Sequence, residues 1–300
     1  MASKSVSAGA GPDRSAQATR PVEPALHLVA TPIGTAADVT LRALEILRGA
    51  DVLAAEDTRQ ARKLMDIHGV RLEGRPLLPY HDHNGAAQRP KLLAHLEAGR
   101  SVAYVSDAGT PLIADPGYQL ATAAIDAGHT VRAAPGASAL LAALAVAGLP
   151  TDRFFFAGFL PPKAAARRRS IGELAAVPGT LVFYEAPHRC AALIADLAEG
   201  LGPDRPTALC RELSKRFEEV RRTSRGDLAV ELADGAALRG EIVIVVGPGA
   251  PREVAAEDID DLLTAALETG SVRDAAAEVA LATGLPRRDL YQRALLLGKP

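Results

Sequence analysis

The sequence predicts a two-domain α/β protein with a small helical C-terminal extension, on three observations. At 300 residues the chain exceeds what one hydrophobic core usually organises. From Leu26 onward, short apolar runs alternate with segments of helical period, the rhythm of βα units. Beyond residue 249 that rhythm gives way to helical patterns alone.

Residues 1–24 are rich in Ala, Ser, Gly and Pro and cannot bury enough surface to offset their ordering entropy, so a disordered tail is expected. The first domain, 25–150, begins with a strand at 26–31. A loop with Pro32 and Gly34 then leads to Asp38, expected to cap a helix that buries Leu41, Leu44, Ile46 and Leu47. Strand 51–56, a helix over 58–68, an apolar pair at Leu77 and Leu78, and a helix through Leu92 and Leu96 that stops at Gly99 follow. Strands 101–105 and 129–134 and an Ala/Leu-rich helix ending near Gly148 complete the domain.

The second domain, 151–249, reads as strand 154–159, a basic helix from Lys163 to Leu174, strand 180–184, helix 188–200 and strand 207–212. Strands at 217–223 and 241–247 flank a helix at 226–232, which points to antiparallel pairing. The stretch 246–251 reads as a linker, and 255–300 as a helical unit of helix-turn-helix type.

Composition limits function without choosing it. A net charge of -2 supplies no global field for nucleic acid, so any such binding needs local basic patches. Cys190 and Cys210 are too few for a disulfide framework, and a reducing cytoplasm fits them. The expectation is a chain neither inserted in a membrane nor exported, because no apolar run approaches the ~20 residues a span needs.

In open α/β sheets, ligands bind beyond the carboxyl ends of the strands, which directs attention to the loops 31–40, 106–117, 135–138 and 184–189. The run Ser106 to Pro111 packs hydroxyls, a carboxylate and a glycine directly after a strand, where the backbone can approach a ligand; the alternative is an ordinary turn capped by Ser106. Neither GxGxxG nor GxxxxGK[ST] occurs, so nicotinamide and P-loop chemistry lose their usual supports.

The blocks TPIGTAADVTLRALEIL, AAEDTRQ, HDHN, VSDAGTPLIADPGY, PGASALLAAL, GLPTDRFFFAGFLP, FYEAPHR and CRELSK occur in an order that resembles the ribosomal RNA small subunit methyltransferases of the tetrapyrrole methylase superfamily. The likeness runs from about Leu26 to Gly249, and the helical tail resembles that family's extension. Thr35 stands where the family often has Asn, and Ala137 and Ser138 where other members carry Pro and Cys. The resemblance implies a cleft between the domains that binds S-adenosylmethionine, and 2′-O-methylation of a cytidine ribose in small-subunit rRNA at the decoding centre. It also implies a homodimer.

On that basis the candidate cofactor residues are Pro32, Ser106, Asp107, Ala108, Gly109, Thr110, Pro111, Pro135, Gly136, Ala137, Tyr184 and Glu185. A ribose hydroxyl is a poor nucleophile and gains from a base or cation. Candidates are Asp57, Glu185, Glu212 and Lys215, with Glu56, His81, His83 and Arg211 also considered. For Asp57 the alternative is a helix cap paired with Arg59 or Arg62; for Glu212 and Lys215 it is a surface pair. No metal site is expected, because the HDHN histidines sit in no ligand motif.

Candidate RNA contacts are Lys163, Arg167, Arg168 and Arg169, then His188 and Arg189, and in the tail Arg287 and Arg288; the alternative is solvated helix faces. Competing readings are a methylase of the same superfamily acting on a tetrapyrrole or a protein side chain, and a non-catalytic RNA-binding assembly protein.

Overall fold

The computed structural model describes residues 21–233, 238–249 and 256–298. Residues 1–20 of the tail expected over 1–24, Ala250 and Pro251 of the linker, and positions 255, 299 and 300 of the helical extension lie outside the described residues.

The first sheet has five parallel strands, β1 (Leu26–Val29), β2 (Val52–Ala55), β3 (Leu77–Pro79), β4 (Val102–Val105) and β5 (Val131–Ala134), in the order β3-β2-β4-β1-β5. Helices α1 (Leu41–Gly49) and α2 (Thr58–Ile67) cover one face through Leu44, Leu47, Ala61 and Met65. Helices α3 (Gly85–Glu97) and α4 (Tyr118–Asp126) cover the other through Leu92, Leu96 and Leu120. Burial from both sides explains why VLAA and VAYV are apolar throughout instead of alternating.

The expected Asp38 cap is corrected. Residues Ala36–Asp38 form a single 3-10 turn, and α1 is capped by Thr40, whose hydroxyl accepts from the Ala43 N–H at 3.1 Å. Asp38 is drawn away by the Ser214 hydroxyl, which donates to its carboxylate. Such a cap is worth about 1 kcal/mol.

The second sheet contains β6 (Phe154–Phe159), β7 (Thr180–Glu185), β8 (Pro206–Arg211), β9 (Glu219–Ser224) and β10 (Ile242–Val246) in the order β6-β7-β10-β8-β9. β6 and β7 are parallel, whereas β10 runs antiparallel to both β7 and β8. Strand alternation is explicit here: Leu181 and Phe183 enter a core under α6 (Ala164–Leu174), α7 (Pro187–Leu201) and α8 (Arg225–Ala233). Val182, Val243 and Val245 face the opposite core, which is covered by α5 (Ala139–Ala147). Thus α5 follows β5 in sequence yet buries Leu140 and Leu144 against the second sheet. It is apolar on nearly every side, yet only the face carrying Leu140, Ala143 and Leu144 is buried, and Leu141 is exposed.

Helices α9 (Ala256–Thr269), α10 (Val272–Thr283) and α11 (Arg287–Leu297) pack on one another around Leu263, Ala276, Val279 and Leu290. Ser271 caps α10, and Gly284 ends it with φ of 73°, a backbone state that favours glycine. No helix among the described residues is long and apolar enough to cross a membrane.

Candidate active site

The loops after β1, β4 and β5 form one hydrogen-bonded shelf. Thr31 and Gly109 exchange backbone hydrogen bonds of 3.0 Å in each direction. The Thr31 hydroxyl donates to the Ser106 carbonyl at 3.1 Å, and the Ser106 hydroxyl donates to the Gly109 carbonyl at 2.5 Å. Thr110 Oγ1 donates to the Ala137 carbonyl at 3.0 Å and so joins the third loop. Gly109 has a φ of +81°, which favours glycine, and a Cβ there would crowd Ile33 Cγ2 at 3.2 Å.

The second sheet supplies the opposing wall. Tyr184 Oη accepts from the Leu140 N–H at 3.0 Å, with its ring edge-on to Phe156 and Phe159. The Glu185 side chain is fully buried, pairs with Arg189 at 3.1 Å and accepts from the Ala186 N–H at 2.8 Å. Arg189 in turn donates to the Leu160 carbonyl at 2.7 Å.

Between these walls lies a cleft of about 410 Å³, lined from the first lobe by Ile33, Ala108, Gly109, Thr110, Ile113 and Ala114 and from the second by Phe159, Tyr184, Glu185, Ile242 and Val243. A smaller hollow of about 200 Å³ adjoins it, sharing Ile33 and Glu241, and contains Pro32, Ser106, Asp107, Gln60, Lys63 and Lys215. Of the predicted cofactor residues, Ala108, Gly109, Thr110, Tyr184 and Glu185 line the cleft, whereas Pro32, Ser106 and Asp107 line the hollow. Pro111, Pro135, Gly136 and Ala137 line neither space: Pro111 is buried, Pro135 and Gly136 are exposed on the β5 loop, and Ala137 meets the shelf through its carbonyl.

Gly240 to Val243 also line the cleft, although they precede a strand and do not follow one. β10 is antiparallel, with Val243 opposite Tyr184 and Ile242 opposite Glu185, so its entry, not its exit, reaches the cleft. The continuous apolar run IVIVV marks a strand buried on both faces, but nothing in it gives the direction in which that strand runs.

The charged groups separate into roles. Asp57 caps α2 by accepting from the Arg59 N–H at 2.8 Å, and the Arg59 guanidinium holds its carboxyl down at about 2. Its own N–H donates to Asp107 Oδ1 at 2.8 Å. Desolvation raises the Asp107 carboxyl above the ordinary range against the pull of that hydrogen bond. Glu56 is raised as well, by burial first and then by repulsion from Asp107, Asp115, Asp82 and Asp57.

Glu212 sits on the far side of the hollow. It accepts from Lys215 Nζ at 2.9 Å and from the Glu241 N–H at 3.0 Å, and these bonds hold its carboxyl below the usual range. Burial opposes the Lys215 charge, but the bonds to Glu212 and Glu241 outweigh it and keep the ammonium above the ordinary lysine range. Glu212 and Ser214 adopt positive φ, 51° and 62°, in the segment that receives Gly34: a Cβ on Gly34 would meet the Ser214 carbonyl oxygen at 2.5 Å. Glu212 therefore braces Lys215 and the start of β10 within the second lobe, while Ser214 meets the first lobe by accepting from the Thr35 N–H at 2.8 Å.

The basic helix needs correction at one position. Arg167 is buried and bonded to Asp196 at 2.6 Å, so it cannot meet RNA; it lies on the same helix face as Ile171 and Leu174. Arg168 is exposed but shares Asp196 at 2.8 Å, while Lys163, Arg169, His188 and Arg288 are exposed. Arg287 is exposed and donates to the Arg273 carbonyl at 3.2 Å. The HDHN loop is a turn closed by Asn84, which accepts from the His81 N–H at 2.9 Å. Among the described residues no group of three or more His, Cys, Asp or Glu is placed to hold a metal ion.

The cleft offers backbone polar groups on a glycine shelf, an apolar wall and carboxylates, a set that fits an amphipathic, cationic methyl donor. A parallel sheet facing a mixed sheet across such a cleft defines a methylase of the tetrapyrrole class, and residues 25–229 match the model of Tetrapyrrole (Corrin/Porphyrin) Methylases. Residues 253–298 match the RsmI C-terminal HTH domain. The chain belongs to the ribosomal RNA small subunit methyltransferase I family. It is 49% identical to the member from Mesorhizobium japonicum, covering 93% of this chain and 94% of that one. It is 44% identical to the member from Micromonospora olivasterospora, covering 90% and 86%.

Among solved structures, uroporphyrin-III-C-methyltransferase from Thermus thermophilus aligns with a TM-score of 0.52 at 25% identity, covering 74% of this chain and 93% of that one. A structure of uroporphyrin-III C-methyltransferase from the same organism, complexed with S-adenyl homocysteine, shares the fold at 22% identity and a TM-score of 0.53, covering 74% and 97%. The chain is thus an S-adenosylmethionine-dependent methyltransferase.

Proposed function

We propose that this methyltransferase modifies small-subunit ribosomal RNA at the 2′-oxygen of a cytidine ribose in the decoding centre, working in the cytoplasm as a homodimer. The observation that carries the acceptor class is the 49% identity, over nearly the whole chain, to a relative named ribosomal RNA small subunit methyltransferase I. The cleft of about 410 Å³ holds the donor, and the hollow beside it receives the acceptor ribose.

When bound, S-adenosylmethionine supplies a methyl carbon activated by its sulfonium for in-line displacement. Ala108, Gly109 and Thr110 hold the donor from the shelf, and Tyr184 and Glu185 close the cleft from the other lobe. Asp107 accepts the ribose proton; its raised carboxyl makes it a stronger base than an ordinary aspartate. Asp57, clamped by Arg59, orients Asp107 through its backbone N–H. Lys215 stays charged beside the forming alkoxide, braced by Glu212. Lys163, Arg168, Arg169, Arg287 and Arg288 supply exposed positive groups for the RNA, with His188 an exposed ring beside them; Arg189 acts by fixing Glu185.

The test is transfer of labelled methyl from S-adenosylmethionine to small ribosomal subunits lacking this modification, with the product nucleotide mapped. Wild type should methylate a ribose. Asp107→Asn should lower kcat by about 10²–10⁴-fold while leaving the cofactor Kd close to wild type. Cofactor binding without transfer to subunits or naked RNA would defeat the rRNA assignment and direct the search to tetrapyrrole or protein acceptors.

A further inference from the structure

A positive surface borders the hollow along the outer face of α2. That helix is sharply amphipathic: Ala61 and Met65 are buried, while Arg59, Arg62 and Lys63 are exposed at the i, i+3, i+4 spacing of one helix face. On α6, by contrast, Arg167 and Arg168 are both engaged by Asp196.

Position adds to charge. Lys63 and Ile67 form walls of the hollow beside the cofactor cleft and also of a shallow depression along α2 that holds Arg59 and Arg62, with the acid Asp66 on its rim. Since Ile33 and Glu241 are shared by hollow and cleft, the depression, hollow and cleft adjoin one another in that order. The first turn of α2 is fixed to the hollow by the 2.8 Å bond from the Asp57 N–H to Asp107. A polyanion lying along α2 would therefore be delivered, at a fixed register, to Asp107 and Lys215.

We infer that the outer face of α2, through Arg62 and Lys63 with Arg59 at its head, binds the phosphate backbone of the acceptor RNA next to the target nucleotide and guides that nucleotide into the hollow. This rests on the reading of RNA as acceptor. Phosphate contacts set register and orientation without reading sequence, which suits an enzyme whose specificity must come from where it is held. Arg59 acts differently from its neighbours: its guanidinium is fixed by Asp57 at 3.0 and 2.8 Å, so it presents a pre-ordered donor edge, whereas Arg62 and Lys63 supply mobile charge.

The experiment compares wild type with Arg62→Ala/Lys63→Ala in steady-state methyl transfer to unmodified small subunits across a salt series. Lys91→Ala, on α3 at the opposite face of the sheet, serves as control. The double variant should raise the KM for subunits about tenfold or more with kcat retained at saturation. The slope of log KM against log salt should fall by about 1.4 to 1.8, the loss of two phosphate contacts. Its cofactor Kd and thermal midpoint should match wild type, because both side chains point to solvent. An unchanged KM and salt slope, with wild type active on RNA, would overturn the inference alone. Absence of transfer to any RNA by wild type would overturn the acceptor reading, and this inference with it.

Discussion

At the scale of single residues, the carboxylates around the hollow differ because their surroundings differ. Asp57 is depressed by a bidentate guanidinium, and Glu56, one position earlier, is raised by burial and by four acidic neighbours. For Glu56 the raised value in the folded state means that its protonated form favours folding. That contribution is complete below the unfolded value of 4.5 and is lost as pH rises through the higher folded value. Glu56→Gln, which cannot ionise, should accordingly gain on wild type as pH increases. Thermal melts at pH 5 and pH 8 should show its relative Tm rising by on the order of 2 °C, and a constant difference would contradict the desolvated state described here. The thiols obey the same physics. Burial pushes Cys190 up to about 12 and Cys210 up to about 11, which makes both core residues and not nucleophiles.

At the scale of elements, α6 shows what a basic sequence run conceals. Arg167 and Asp196 are both buried, so Arg167→Ala leaves a carboxylate inside the protein with only Arg168 to pair it. Removal should cost about 3 kcal/mol, the low end for a broken buried pair because Arg168 remains. Arg168→Ala, half-exposed, should cost well under about 1 kcal/mol. Urea titration of both variants checks the order, and equal losses would contradict it. The βα repeats, the shelf loops and the helical tail were legible in the sequence because periodicity and glycine placement act locally. The fate of Arg167 was not, since nothing local marks Asp196 on another helix as its partner. Nor was the Thr40 cap legible: Asp38 is an equally good capping residue until Ser214, far along the chain, takes its carboxylate. The contribution of β10 to the cleft depended on strand direction, which apolar alternation does not encode.

At the scale of the whole molecule, the helical unit 256–298 encloses a core of its own while the cleft is built entirely from residues before Gly249. Ending the chain after Gly249 should leave the cofactor Kd within about twofold of wild type, a difference below ~0.4 kcal/mol. The KM for subunits should rise, through loss of Arg287 and Arg288. Calorimetric titration with S-adenosylmethionine beside the transfer assay measures both, and loss of cofactor binding would show that the tail supports the cleft.

The central position of β10 also governs how the molecule is born. β6 pairs with β7 and β8 with β9, but the two pairs meet only through β10, the last strand to be synthesised. A nascent chain that has not yet emerged beyond Val246 therefore carries two half-sheets, each with an open strand edge, and a donor site without its floor. β10 must be made before the enzyme can hold its substrate, and any pause ahead of Ile242 lengthens the time those edges are available to neighbouring chains.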